Sequence, residues 1–202
     1  PSIIGTFGSY NFKSDQAVFC TIKKGCERLK FFELAKEKGI TPASWTNGRI
    51  SIGKSFLGYC IIGEGCIFIG QQKINTVSFL GDGVIISKCS LGEGCNIGSF
   101  TNLLSSSIGD FAKIGSFSHI SSGSSIGAYS FLGNDVSFDS SVKVSSNVLI
   151  GSNVRVGSQA TIGIENSIGS IPGISARVTK IGDNVVIGSH SSISNGVIIN
   201  DY

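Results

Sequence analysis

Residues Ile108 to Ile168 read IGDFAKIGSFSHISSGSSIGAYSFLGNDVSFDSSVKVSSNVLIGSNVRVGSQATIGIENSI. A large apolar residue returns every six positions, at Ile108, Ile114, Ile120, Ile126, Leu132, Phe138, Val144, Ile150, Val156, Ile162 and Ile168. A helix needs apolar spacings of three and four and a strand needs two, so a period of six belongs to neither and marks a repeat architecture. Gly follows eight of these eleven positions: Gly109, Gly115, Gly127, Gly133, Gly151, Gly157, Gly163 and Gly169. Two residues before each apolar position stands a small or β-branched residue, from Ser106, Ala112 and Ser118 to Val154 and Ala160, with Asn166 as the exception. Short strands joined by tight corners, three to a coil of eighteen residues, place both the large and the small residue inside. The predicted fold class is mainly β, a parallel β-helix of triangular section.

Working backward, the inward positions continue through Leu103, Ile97, Leu91, Ile86, Leu80, Ile74 and Phe68 to Ile62. Two steps are five residues rather than six, Ile86 to Leu91 and Leu103 to Ile108, and they stack one coil apart. A stacked irregularity is a local shape, and shape at a corner of a rigid coil is where a ligand sits. Working forward, Ile181, Ile187, Ile193 and Ile199 resume the period after a thirteen-residue step from Ile168. The segment 169–180 therefore leaves the coil as a loop, with Pro172 and Gly173 at its tip. Long loops on a rigid scaffold are commonly functional, and Arg177 and Lys180 on this one are candidates to meet phosphates.

Residues 1–47 do not repeat. Gln16 to Ile22 reads as a buried strand and Glu27 to Lys38 as an amphipathic helix with Leu29, Phe32 and Ala35 on one side and Gly39 as its stop. Thr41 to Gly48 reads as a linker, and the coil is expected to begin near Ile50 or Ile52. The expected domains are thus a partial α/β segment over 1–47 and a β-helix over 48–202.

The 202 residues are 41% hydrophobic and only 14% charged, against a usual ~25%. Corners that take Gly and stacked faces that take Ser explain the deficit. A net charge of +3 without a basic cluster and interleaved aromatics argues against a nucleic-acid partner. No apolar run approaches the ~20 residues of a membrane span and no secretory leader is visible, so the expected location is cytoplasmic. The chain contains no Met, which suggests that Pro1 is not the translated start. Of six cysteines, Cys60, Cys66, Cys89 and Cys95 fall in the inward small-residue slot, as packing groups rather than metal ligands or disulfide partners. Cys20 and Cys26 lie outside the coil and remain unassigned.

The pattern small-x-Ile-Gly-x-x over roughly 52–200 resembles the hexapeptide repeat of left-handed β-helix acyltransferases. Phe19-Cys20-Thr21-Ile22, the turn to Gly25, and Arg28 followed by Leu29 to Gly39 are similar to the end of the Rossmann-like domain in sialic-acid O-acetyltransferases and amino-sugar-nucleotide N-acetyltransferases. The resemblance implies a left-handed coil. It also implies acyl transfer from acetyl- or another acyl-coenzyme A to a sugar, the expected acceptors being nucleotide-linked amino sugars of surface-polysaccharide biosynthesis. A homotrimer with sites between subunits, the pantetheine arm along the coil axis and no metal come with it. On the same resemblance Arg28 is expected in a substrate-facing or structural role, and Arg177 and Lys180 are the candidates for binding the coenzyme through its phosphates.

Where these relatives carry a Glu-His or His-Glu pair before an Ile-Gly, this chain has Leu103 to Ser107 before Ile108-Gly109, one residue shorter and without His. A second His of the relatives is Lys113 here, and their Asn after the preceding Ile is Gly98. Ser105 and Lys113 are accordingly read as substrate contacts. The chain has two histidines, and both are candidate bases: His119, beside Ile120 with an outward phase, and His190 in the penultimate repeat. Asp135 and Asp139 read as solvent-facing. A neutral amine needs less help from a base than a hydroxyl does, so the missing His favours N-acylation. The rival is a trimeric β-helix scaffold or binding protein that has lost catalysis. A γ-class carbonic anhydrase would need a third His, and an ice-binding coil would need rows of outward Thr.

Overall fold

The computed structural model describes residues 17–18, 30, 33–34, 37, 41–42, 45–46, 51–52, 55–57, 60–70, 72–75, 78–164, 179–181, 183–194 and 197–201. Three parallel sheets run along the coil, one of nine strands and two of eight. The first face stacks strands from Trp45–Thr46 through Asn96–Ile97, Lys113–Ile114 and Phe131–Leu132 to Ile198–Ile199. The second runs from Ser51–Ile52 through Asn102–Leu104 and His119–Ile120 to Val186–Ile187, and the third from Ser55–Leu57 through Ser90–Leu91 and Ser107–Ile108 to Ser192–Ser194. Successive strands belong to successive faces, so the chain makes one circuit per step along the axis. This is the parallel β-helix that the period of six predicts.

Each large inward residue pairs with its counterpart one coil on, as in Ile97 with Ile114, Ile114 with Leu132 and Leu132 with Ile150. These residues and the small slots beside them, including Cys60, Cys66, Cys89 and Cys95, form one buried column. The serine slots also join coils. Ser124 Oγ donates to the Asp139 carbonyl at 3.1 Å and accepts the Val142 N–H at 3.2 Å. Ser130 repeats this with the Ser145 carbonyl at 2.9 Å and the Val148 N–H at 3.2 Å. A buried hydroxyl is tolerated there because both its donor and acceptor functions are used. At Gly109 a Cβ would lie 2.5 Å from the backbone nitrogen of Ala128 in the next coil, which explains why Gly follows the apolar residue.

Ser118 is 1% exposed and its Oγ accepts the Val136 N–H at 3.2 Å. Ser118→Leu is expected to destabilise the protein by ~1–3 kcal/mol in urea denaturation, through overpacking and the lost bond. Unchanged stability would remove Ser118 from the inward slot.

The cysteines make a second expectation. Burial pushes the Cys95 thiol up from its ordinary value of 9.0 to about 12, and burial raises Cys66 as well. Between pH 9.0 and about 12 the unfolded chain ionises Cys95 while the native chain does not, so the unfolded state binds fewer protons and stability falls as pH rises. The stabilisation is fully present below pH 9.0. Denaturation midpoints measured across this window should fall less steeply for Cys95→Ala than for the native sequence, and parallel slopes would contradict the burial.

Three boundaries differ from the sequence reading. The coil reaches back to Trp45–Thr46, which pairs with Ile61–Ile62. Thr46 stands six residues before Ile52, and a polar residue at that register ends the apolar reading early. The supposed linker also contributes Thr41–Pro42, parallel to Ala17–Val18. At the other end, Ile150 pairs with Ile181, so Ile181 holds the slot that the phase of Ile168 suggested. Thr161–Ile164 is the last strand described before Thr179–Ile181, and Gly163 (φ +81) sits in a register shift within it. Lys180 lies within the strand Thr179–Ile181 rather than on the loop. Residues 165–178, with Ile168, Pro172, Gly173 and Arg177, lie outside the described residues, as do Cys20, Cys26 and Arg28. Lys30, Glu33, Leu34 and Glu37 are helical and exposed, the face opposite the one read as apolar. No helix among the described residues is long and apolar enough to cross a membrane.

Candidate functional site

The two five-residue steps fall at the corner between the second and third faces. There the chain turns through Lys88 (φ 53) and Ser105 (φ 41), between Gly70 (φ 77) below and Gly123 (φ 76) above. A side chain at positive φ is uncommon outside Asn and Asp. Both turns are held by backbone bonds to their neighbours: Ser105 N–H donates to the Ser87 carbonyl at 2.7 Å, and Gly123 N–H to the Ser105 carbonyl at 3.0 Å. A groove of about 490 Å³ lies along these two shortened corners.

Its lining includes Lys73, Lys88, Ser105, Ser107, Gly123 and Ser125. Lys73, Ser90, Ser107 and Ser125 are in register on successive strands, so the groove follows the coil axis for ~14 Å at the usual strand spacing. Its floor is Gln72, only 3% exposed, in the small-residue slot two before Ile74. Gln72 Nε2 donates to the carbonyls of Ile69 at 2.7 Å and Ile86 at 3.1 Å, and its Oε1 accepts the Cys89 N–H at 3.3 Å. A large buried amide survives where Ser or Cys is usual because these bonds satisfy it. The sequence carries that signal, a lone Gln in the slot, though it was not among the sequence-derived candidates.

The groove offers two exposed ammonium groups at one end and a run of hydroxyls beyond them. Among its lining residues there is no imidazole and no carboxylate. It can hold an extended chain with polar amides and an anionic end, and it has no general base of its own.

The other predicted residues lie apart. His119 is half-buried on the second face, with Asn102 and Ser137 as its neighbours in the ladder. His190 is exposed at the same corner column as Ser105, but four coils away, about 19 Å. Lys113 is exposed on the first face beside a recess of about 330 Å³, with Asn96 and Asn134. Lys180, also on the first face, lies by a recess of about 360 Å³ lined by Phe131, Leu149 and Ile198. None of His119, Lys113 or Lys180 is among the residues that line the groove at Ser105. At the corner after the first face, Phe100 and Phe117 are stacked with ring centroids 5.4 Å apart and are 59% and 64% exposed, a pair that the apolar period does not mark. Asp82 and Asp183 accept backbone N–H bonds from Glu64 at 2.7 Å and Ser152 at 2.6 Å, which assigns them to coil stacking. Among the described residues no group of three or more His, Cys, Asp or Glu could hold a metal ion.

No family model matches the chain, and no curated relative does. Among solved structures it is similar to PerB of Caulobacter crescentus in complex with CoA and GDP-perosamine, at 23% identity over 66% of this chain and 65% of that one, TM-score 0.43. It is similar to UDP-N-acetylglucosamine O-acyltransferase, LpxA, of Moraxella catarrhalis, at 18% identity over 75% and 65%, TM-score 0.31. A third likeness is to the acetyltransferase domain of PglB of Neisseria gonorrhoeae, at 20% identity over 75% and 62%, TM-score 0.29. The chain spans just under two thirds of the length of these structures. With identities and TM-scores this low, the ground for the fold is the coil register itself.

Proposed function

We propose that the chain is an acyl-coenzyme-A-dependent acyltransferase that acylates the amine of a nucleotide-linked amino sugar in surface-polysaccharide biosynthesis. The observation that carries this reading is the groove at Ser105. It lies at the corner where the hexapeptide resemblance puts the reacting centre, and it runs along the axis as a pantetheine arm would. Lys73 and Lys88 would meet the coenzyme phosphates as point charges, and Ser107 and Ser125 would face the pantetheine amides. The thioester then lies near Ser105 and Gly123.

The amine lone pair attacks the thioester carbonyl, a C–N bond forms and the C–S bond breaks. Coenzyme A leaves as the thiolate and takes up the proton that the nitrogen loses. Hydroxyls in the groove are the donors at hand for the tetrahedral oxyanion. Proton removal from the amine needs a group that the groove lacks. A second copy presenting its second face to the groove would supply His119, in keeping with the trimer that the resemblance implies. Lys113, Lys180, Arg177 and Arg28 remain proposals for binding the acceptor and coenzyme, and acyl-coenzyme A places the reaction in the cytoplasm.

The absence of a base from the groove favours one rival, a β-helix scaffold without catalysis. Incubation with acetyl-coenzyme A and a panel of nucleotide-linked sugars, each as the amino and the hydroxyl form, separates the two. Thiol release with amino sugars alone is expected. Release with hydroxyl forms alone would reverse the acceptor assignment, and none with any acceptor would favour the scaffold.

A further inference from the structure

We infer that Asn102 is a positioning residue for His119: its side-chain carbonyl receives the Nδ1–H of the imidazole and leaves Nε2 bare as the base. This rests on the reading above, in which His119 removes the proton of the amine. Asn102 and His119 are opposite each other on adjacent parallel strands of the second face, and Ile85 is opposite Asn102 on its other side. Asn102 Oδ1 is buried and has no hydrogen-bond partner. The backbone around it is already committed, Asn102 N–H to the Ser118 carbonyl at 2.9 Å and His119 N–H to the Val136 carbonyl at 2.8 Å.

A buried acceptor is normally satisfied, so a lone one calls for a donor close by. Of its two ladder neighbours, Ile85 has no polar side chain and His119 has ring N–H groups. In-register side chains on one face stand about 4.8 Å apart, within the reach of an amide and a ring that turn toward each other. The amide oxygen can accept from the Nδ1–H tautomer or from imidazolium, and in the neutral ring that fixes the lone pair on Nε2. Ser137, the other ladder neighbour of His119, can take either role at its hydroxyl and so imposes no tautomer.

The chain has only two histidines, so imidazole ¹⁵N resonances are assigned by removing one. In the full chain carrying His190→Gln, the neutral His119 ring should show a protonated Nδ1 and an unprotonated Nε2. Adding Asn102→Leu should move it toward the opposite tautomer, and Asn102→Asp should restore the first. With acetyl-coenzyme A and an amino-sugar acceptor, kcat should fall about tenfold in Asn102→Leu with KM for the coenzyme unchanged, and recover in Asn102→Asp. Identical ring resonances in the native and Asn102→Leu chains would overturn the assignment, whatever the activity. The expected tautomers in a protein that transfers no acyl group would instead sink the acyltransferase reading and leave the pairing intact.

Discussion

Lys73→Glu combined with Lys88→Glu is expected to weaken acetyl-coenzyme A binding about 100-fold, a tenfold loss at each position or ~1.4 kcal/mol apiece. Both lysines are exposed at one end of the groove. An exposed ion pair alone is worth less than this. Reversal, however, replaces attraction by repulsion of a phosphate, and the two contributions add. A Cβ on Gly70 would lie 3.2 Å from Lys88 Cγ, so the Lys88 stem passes over that glycine. KM for the coenzyme should rise while kcat at saturation holds, and melting should not change. Affinity of the native chain should also fall with added salt, as expected for exposed charges. Unaltered binding in the double variant would move the phosphates to another part of the surface, Lys180 on the first face being the next cation to test.

Turnover should fall at least ~100-fold in His119→Ala, the usual scale for loss of a general base, with acetyl-coenzyme A affinity retained. His190→Ala should have no effect, because His190 stands about 19 Å along the axis from Ser105. Since His119 is not among the groove's lining residues, each variant impairs a different part of the site. At acetyl-coenzyme A well below the raised KM, co-expressed His119→Ala and Lys73→Glu/Lys88→Glu chains should therefore recover turnover that neither shows alone. Full turnover in His119→Ala would remove it as the base and, with it, the need for a second copy. Loss of turnover without recovery in mixed assemblies would place the base and groove on the same copy.

The fold was legible because one inward residue in six leaves a period that no helix or flat strand produces. Its ends were harder to read. Thr46 is in register but polar, and Ile168 is in phase although Ile181 occupies the slot beside Ile150. Periodicity reports which residues could face inward, and strand pairing decides among them. The corner at Ser105 was visible as two short steps, because a missing residue shifts every later position. Its chemistry was not, since the groove depends on backbone turns at Lys88 and Ser105 and on a buried Gln72. The His119 row was hidden for a different reason. Asn102 is seventeen residues away, and its lone acceptor has meaning only once the coil sets the two side by side.

The most direct measurement is calorimetric titration of the native protein with acetyl-coenzyme A and then with free coenzyme A, repeated on the Lys73→Glu/Lys88→Glu chain. Saturable binding approaching one site per chain, lost in the double variant, is the result expected if the groove at Ser105 holds the coenzyme. Absence of heat up to ~1 mM ligand, the upper end of ordinary substrate affinities, would contradict an acyl-coenzyme A site and leave a scaffold in its place.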